Sequence, residues 1–429
     1  MINKKFHSNP IYNFYINKFL MTQKFRGKTI ILDRDSYIKF NVDKKISIKY
    51  DTIVLINLLN QVDNYEDVLV SLINKLKKGG KIFGTTSSFA EVDNNIWGFT
   101  TESIKYILEK VVGIKNTKIK PYGNVLSGRY FINNNSEANI NFKSAQVTDI
   151  HFPVIIGFSL EKIDDNKAYL LNIQKDIVVD EEKKTIRGFI ASILKRSNNF
   201  LDKYINLIRL LRSTIMRIIK TTDNYLKNDS VEPISKIYGF DRGIPIDRYY
   251  IEKFMDINKK LIKGKCLEIV DNKYTIKYGG KKVKVSDVLD IFPSKKANIQ
   301  GDLRNLKNIK SNTYDTLIIT QTYNVIDDYV SAIKESHRIL KKGGALLITL
   351  PTISPCWNIT INMWRFSKKS LYHVLEKYFD KKNIMVNSFG NKKAAESFWI
   401  GMSQEDLDTN ELNETNGSGT LIVGAVVKK

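Results

Sequence analysis

The sequence predicts an α/β protein of two doubly wound sheets in tandem, joined by a helical connector. Three observations predict it. Apolar strand-like runs alternate with helical periodicity in the second half, and the same segments recur earlier at a nearly constant offset. The chain of 429 residues also exceeds what one hydrophobic core comfortably holds.

The elements of the second half are read in order. Residues 265–269 form a short apolar run that suits a first strand, and residues 282–289 alternate as a second. Residues 316–320 are continuously apolar, as strands buried on both faces are. Residues 329–340 carry Val330, Ile333, His337 and Leu340 on one helical face, and Lys341-Lys342-Gly343-Gly344 reads as a cationic last turn with a glycine cap. Residues 345–350 form the next strand, stopped by Pro351, and residues 370–378 form a further amphipathic helix.

The repeat is read from identities. Tyr50-Asp51-Thr52 recurs as Tyr314-Asp315-Thr316, and Leu76-Lys77-Lys78-Gly79-Gly80 as Leu340-Lys341-Lys342-Gly343-Gly344, both 264 positions later. At an offset of 267, Trp97-x-Phe99-Thr100 recurs as Trp364-x-Phe366-Ser367, and Ile155-Ile156-Gly157 as Ile422-Val423-Gly424. Between Gly27 and Tyr50 the first copy is 27 residues shorter than the second copy is between Gly264 and Tyr314. Copy one therefore lacks the first turn and the second strand with its acid, and is expected to bind no cofactor. The boundaries follow: 1–163 a degenerate first copy, 164–234 a helical connector, 235–429 the second copy. Within the connector, residues 187–227 carry helical apolar spacing flanked by Arg and Lys, a packed connector or dimer face, or else a basic helix for a partner or membrane surface.

Composition bounds the function. The formal charge of +23 suits an acidic partner (a nucleic acid, a phosphorylated glycan, an anionic membrane), or simply a Lys-rich genome, since the basic residues are dispersed. Cys266 and Cys356 are far apart, with no CxxC, which fits a reducing cytoplasm and speaks against disulfides and zinc. No secretory leader and no apolar run of about 18 residues is present, so a cytoplasmic location without a transmembrane segment is expected. No metal-ligand spacing, P-loop or Ser/His/Asp set is visible. His337 and His373 read as packed, and His7 and His151 have no partner legible in sequence.

A doubly wound sheet binds ligands beyond the carboxyl ends of its strands, with an acid near residue 20 after the first turn holding ribose hydroxyls. In copy two that turn is Glu268 to Thr275, without GxGxxG. Asp287, 19 residues on, sits where the ribose acid belongs, and Asp302 closes the next strand.

These features resemble the Rossmann-like fold of class I, S-adenosylmethionine-dependent methyltransferases: Tyr314-Asp315 opening a strand, then a helix ending Arg338-Ile339-Leu340-Lys341-Lys342-Gly343-Gly344, then a strand. More narrowly, residues 235–429 resemble bacterial methyltransferases encoded with or fused to glycosyltransferases of surface-glycan pathways. The matching stretches include Tyr238-Gly239-Phe240-Asp241-Arg242-Gly243, Ser286-Asp287-Val288-Leu289, Gly301-Asp302-Leu303 and Trp364-Arg365-Phe366-Ser367. The resemblance implies S-adenosyl-L-methionine as cofactor. It places Glu268, Ile269, Val270, Asp271, Asn272, Tyr274 and Thr275 against its methionine part, Asp287 on the ribose, and Asp302 with Leu303 on the adenine. Thr320, Gln321 and Thr322 would border the methyl group. Arg242, Arg248, Tyr249, Trp364 and Arg365 fall on the acceptor side, with Asp271 and Asp247 as the available bases. Val270 stands where such proteins have glycine, and its β-branched side chain opposes close backbone approach.

The resulting expectation is O- or N-methylation of a surface-glycan or glycoconjugate precursor (O-antigen, capsule or flagellin glycan), phosphorylated if the basic charge is put to use. A catalytically inactive scaffold for a glycosyltransferase is the alternative. A nucleic-acid methyltransferase ranks last, because no Asn-Pro-Pro-aromatic motif is present.

Overall fold

A computed structural model describes residues 9–42, 48–90, 95–111, 114–133, 140–163, 230–357, 362–414 and 419–429. Of the connector, only residues 230–234 fall within these, and they form no helix; its 187–227 pattern and His7 lie outside the described residues.

In the first half the strands are β1 Thr29–Leu32, β2 Tyr50–Ile56, β3 Leu76–Ser87, β4 Trp97–Phe99, β5 Ile114–Tyr122 and β6 Ile155–Lys162. The helices are α1 Pro10–Met21, α2 Arg34–Val42, α3 Tyr65–Ile73, α4 Thr101–Glu109, α5 Val125–Asn133 and α6 Phe142–Ala145. The second half has β7 Gly264–Ile269, β8 Val283–Asp290, β9 Ile299–Gln300, β10 Tyr314–Thr320, β11 Leu340–Pro351, β12 Trp364–Phe366, β13 Ile384–Phe389 and β14 Ile422–Lys428. Its helices are α7 Ile246–Asn258, α8 Tyr329–Ile339, α9 Lys368–Leu375, α10 Lys392–Trp399 and α11 Thr409–Asn413.

The seven-stranded second sheet has the order β13-β14-β11-β10-β7-β8-β9, with β14 antiparallel to both neighbours and the strands from β11 to β9 parallel. The five-stranded first sheet, β5-β6-β3-β2-β1, repeats this order without counterparts of β8 and β9. The central strands are apolar on both faces because helices cover both: β10 buries Leu317, Ile318 and Ile319. Helix starts repeat as well. Thr100 and Ser103 form a capping box at α4, as Ser367 and Ser370 do at α9.

The Lys-Lys-Gly-Gly segment does not cap its helix. α8 ends at Ile339 with Leu340 already extended, and Gly343 at φ +75° makes a turn inside β11, matched by Gly79 at +73° in β3. The turn shifts the strand register between Tyr314 and Thr316, so the glycine serves the strand entrance.

The halves meet about a local pseudo-two-fold axis. β4 pairs antiparallel with β12, Trp97 opposite Phe366, Gly98 opposite Arg365 and Phe99 opposite Trp364. The Tyr65 and Tyr329 hydroxyls touch at 3.3 Å, Trp97 Nε1 donates to Val62 O and Trp364 Nε1 to Ile326 O. Further out, Arg129 Nε donates to Glu396 Oε1 at 2.9 Å and Trp399 Nε1 to Val125 O at 3.0 Å. One apolar cluster runs through both halves, and the contact has the self-complementary form of a two-fold interface.

Candidate functional site

The site is built at the carboxyl end of β7. Glu268 is 2% exposed, and its carboxylate accepts the backbone N–H of Tyr274 at 3.2 Å and of Thr275 at 2.7 Å. Burial outweighs these bonds and pushes its carboxyl up to about 7. Ile31 occupies the same register position in the first sheet, opposite Val54 as Glu268 is opposite Ile318, so among the described residues that half has neither the acid at this position nor a strand beyond β1.

The chain leaves β7 through Val270 at φ +71°, while Asp271 N donates to Ile269 O at 2.9 Å. This is a tight three-residue turn in left-handed backbone, a conformation glycine adopts freely and a β-branched residue resists. The valine side chain is 54% exposed, so the loop keeps the glycine path and turns the side chain outward. Such strain costs about 1–3 kcal/mol. Val270→Gly relieves it, less roughly 0.5–1 kcal/mol for the glycine's freedom in the unfolded chain. A melting-temperature rise for this variant is expected, and a fall would show that Val270 is unstrained.

Around the turn, Asn272 Nδ2 donates to Ser286 Oγ at 3.0 Å, and Asp271 lies 3.6 Å from Lys273 Nζ and 3.9 Å from Lys296 Nζ. The first turn of α7 brings Asp247 and Arg248 alongside, 3.8 Å apart, with Arg248 also facing Tyr274 and Asp271. Asp247 Oδ1 is buried without a hydrogen-bond partner, and burial raises this carboxyl above its ordinary range despite Arg248. Tyr274 is pushed up to about 12 by burial, against the pull of Arg248. The structure thus gathers Asp247, Arg248, Glu268, Asp271, Asn272, Tyr274 and Thr275.

Asp287 lies inside β8, opposite Leu267 and 7% exposed. Its carboxylate is held by Asn298 Nδ2 at 2.7 Å, Tyr314 OH at 3.0 Å and Lys265 Nζ at 3.2 Å. The acid at the strand's end is Asp290, whose Oδ1 accepts Phe292 N at 3.0 Å. Asp302 receives a forked pairing from Arg304, which also reaches Asp327 at 2.8 Å, and Leu303 is buried beside them. After β10, Gln321 takes φ +47° and leaves Nε2 buried and unpartnered, while Thr322 Oγ1 donates to Thr320 O at 2.8 Å. Asn57, the counterpart of Gln321, has φ +54°.

The remaining acceptor-side residues are engaged within the protein. Arg242 forks onto Asp406, with both bonds at 2.8 Å, and Tyr249 OH donates to Asn413 Oδ1. Trp364 and Arg365 lie in the two-half contact, 1% and 0% exposed. His151 does have partners: Asp149 Oδ1 at 2.9 Å from Nδ1, and the Trp357 ring stacked 5.1 Å away. His337 packs edge-on to Phe379, and His373 Nδ1 lies 3.2 Å from Glu376. Among the described residues, no group of three or more His, Cys, Asp or Glu could hold a metal, and no helix is long and apolar enough to cross a membrane.

The family model of a methyltransferase domain matches residues 268–348, beginning at Glu268 itself. The second half carries a methyltransferase domain. S-adenosyl-L-methionine is the methyl donor of such a domain. No curated protein matches the chain. Among solved structures, it is similar to a SAM-dependent methyltransferase of Thermotoga maritima at 20% identity, over 43% of this chain and 92% of that one, TM-score 0.30. It is also similar to phosphoethanolamine N-methyltransferase 2 of Haemonchus contortus at 13% identity, over 99% and 100%, TM-score 0.33. A third similarity is to a SAM-dependent methyltransferase of Archaeoglobus fulgidus at 15% identity, over 42% and 90%, TM-score 0.29.

The residues at the methyltransferase domain's strand ends fit S-adenosyl-L-methionine. Its sulfonium and amino groups are cationic, and Asp247, Glu268, Asp271 and Asp290 are carboxylates on the elements that meet there. Unpartnered buried atoms, Asp247 Oδ1 and Gln321 Nε2, supply an acceptor and a donor with no partner inside the protein.

Proposed function

We propose that the chain methylates a surface-glycan or glycoconjugate precursor in the cytoplasm, at an oxygen or nitrogen, and that it arose by tandem duplication. In this reading the second half binds S-adenosyl-L-methionine through Glu268, Val270, Asp271, Tyr274 and Thr275, and Asp290 rather than Asp287 takes the ribose hydroxyls. Asp247 is the base: its elevated carboxyl and free Oδ1 suit proton acceptance from a hydroxyl or ammonium acceptor. The first half binds no cofactor and shapes the acceptor side, and a glycosyltransferase is its natural partner. The glycan acceptor rests on the sequence resemblance. The observation that carries the reading is the gathering of Asp247, Arg248, Asp271 and Tyr274 around the loop after Glu268. An inactive scaffold is the second reading, favoured by the strained Val270.

Calorimetric titration of S-adenosyl-L-methionine tests it. Wild type is expected to bind. Asp290→Ala should weaken binding by about 10–100-fold, as loss of a charged hydrogen bond worth roughly 1.5–3 kcal/mol does. Asp287→Ala should lower the melting temperature but keep affinity below it. Absence of binding to wild type sinks the enzyme reading in favour of the scaffold.

A further inference from the structure

Around the loop after Glu268 the charges are mostly acidic. Asp247, Glu268 and Asp271 are carboxylates, and Arg248, on the first turn of α7, is the cation set among them. Lys273 and Lys296 stand at the rim, with side chains 71% and 62% exposed, and both lie toward Asp271. Charges so open to water are screened and mobile. The Arg248 side chain is 34% exposed, open enough to be reached and enclosed enough to be held. Pro245 begins α7 without a side-chain cap, so the positive end of the helix lies on the same side as the guanidinium.

Arg248 also has donors to spare. Its ion pair with Asp247 is 3.8 Å long, beyond hydrogen-bond reach, and Tyr274 is the neutral group that faces it, so most of the guanidinium N–H groups are uncommitted. The other arginines of the second half are spent inside the protein. Arg242 forks onto Asp406, Arg304 onto Asp302 with a further bond to Asp327, and Arg338 onto Glu335. Arg365 is 0% exposed and donates to Asn362 and Ser354. The chemistry of the cofactor leaves one group to be matched. The methionine part of S-adenosyl-L-methionine carries a sulfonium, an ammonium and a carboxylate. The acids of the loop suit the two cations. Burial raises the carboxyls of Glu268 and Asp247, which tempers their repulsion of an anion. The carboxylate needs a cation at the same loop that is held in place and only partly hydrated, and Arg248 meets that requirement.

We propose that Arg248 receives the methionine carboxylate of S-adenosyl-L-methionine. This rests on the methyltransferase reading of the second half, and it moves Arg248 from the acceptor side, where the sequence resemblance puts it, to the cofactor side. A planar fork of donors matches the two oxygens of a carboxylate, which the lysines at the rim do not. The site is thereby selective for the amino-acid form of the cofactor over a decarboxylated one.

Calorimetry on the full chain tests this with two probes, S-adenosylhomocysteine and its decarboxylated analogue, in which hydrogen replaces the carboxyl group. Wild type should bind S-adenosylhomocysteine about 10–100-fold tighter than the analogue, as loss of a charge-assisted hydrogen bond implies. Arg248→Gln should weaken S-adenosylhomocysteine by a similar factor and leave the analogue unchanged. Arg248→Lys, which keeps the charge and loses the fork, should fall between the two. Equal weakening of both probes by Arg248→Gln would mean that the arginine only supports the loop, and overturns the proposal. Equal affinity of wild type for both probes overturns it without any variant, even if Arg248→Gln fails to fold. Glucuronate, titrated with S-adenosylhomocysteine bound, separates the other source of a carboxylate. If Arg248→Gln abolishes glucuronate binding and spares S-adenosylhomocysteine, the arginine belongs to an acidic acceptor and the cofactor assignment falls. Wild type that binds neither nucleoside probe sinks the methyltransferase reading itself, whereas wild type that binds both, with Arg248→Gln silent on each, sinks this assignment alone.

Discussion

Trp364→Ala is expected to destabilise the protein by about 3–5 kcal/mol and to split its unfolding into two transitions. The indole is 1% exposed and sits where the halves join, with Tyr329, Tyr65, Phe99 and Tyr106 around it at centroid distances of 5.1–6.4 Å. Two of these rings belong to α3 and α4 of the first half, and a third is the strand partner Phe99, so truncation removes contacts across the junction rather than within one core. The indole N–H also closes Ile326 O, which loses its partner. The void cannot refill easily: Gly98 beside it has no side chain, and the two tyrosine hydroxyls are bonded to each other. Each half keeps its own sheet and helices, so each should melt separately once the shared cluster is broken. Differential scanning calorimetry checks this. A single transition with loss below about 1 kcal/mol would mean that the shared cluster is held elsewhere.

That junction was half legible in the sequence. Trp-x-Phe occurs in both halves, and its two occurrences pair with each other across the junction. Reading Trp364 as an acceptor-side residue missed this, because periodicity along one chain is blind to which distant strand a short run will pair with. The end of β8 shows the same limit at finer scale. Counting about 20 residues from Glu268 finds Asp287, but β8 runs three residues further, and Asp287 falls within its paired stretch where Asn298, Tyr314 and Lys265 hold it. The strand read over residues 282–289 ends at Asp290, ahead of Pro293, so the acid at its end is Asp290 rather than Asp287. The shorter interval from Gly27 to Tyr50 was readable because it shows in numbering, and among the described residues the first sheet has no strand beyond β1. The left-handed backbone at Val270 was not readable. The sequence shows only a valine after Glu268-Ile269, and only the folded loop shows that this residue takes left-handed backbone.

The pH dependence of the second half is expected to turn on Glu268. Its carboxyl rises from an ordinary 4.5 to about 7 because burial outweighs the two backbone N–H bonds. A carboxyl raised on folding contributes its stability below the unfolded value and loses it as pH climbs through the folded one. Between about pH 4.5 and 7 the unfolded chain releases this proton while the folded chain keeps it, so stability falls as pH rises. The full effect above pH 7 is roughly 3 kcal/mol, since a tenfold change in a proton's affinity is worth about 1.4 kcal/mol. Other carboxylates pull the opposite way, but lower down: Asp287, Asp315 and Asp406 are depressed by their partners, so stability they supply is lost only as pH falls below the ordinary aspartate range. The difference between wild type and Glu268→Gln isolates the first effect. That difference should grow from pH 5 to pH 8 in favour of the glutamine, and a constant difference across this range would show that Glu268 ionises normally. Ligand binding follows the same logic with the sign reversed. A cation placed against the loop lowers the carboxyl again, so binding releases a proton below pH 7 and affinity for S-adenosyl-L-methionine should fall by up to about tenfold per pH unit there. Titration in two buffers of different ionisation enthalpy measures that proton directly, and its absence in Glu268→Gln assigns it to this residue.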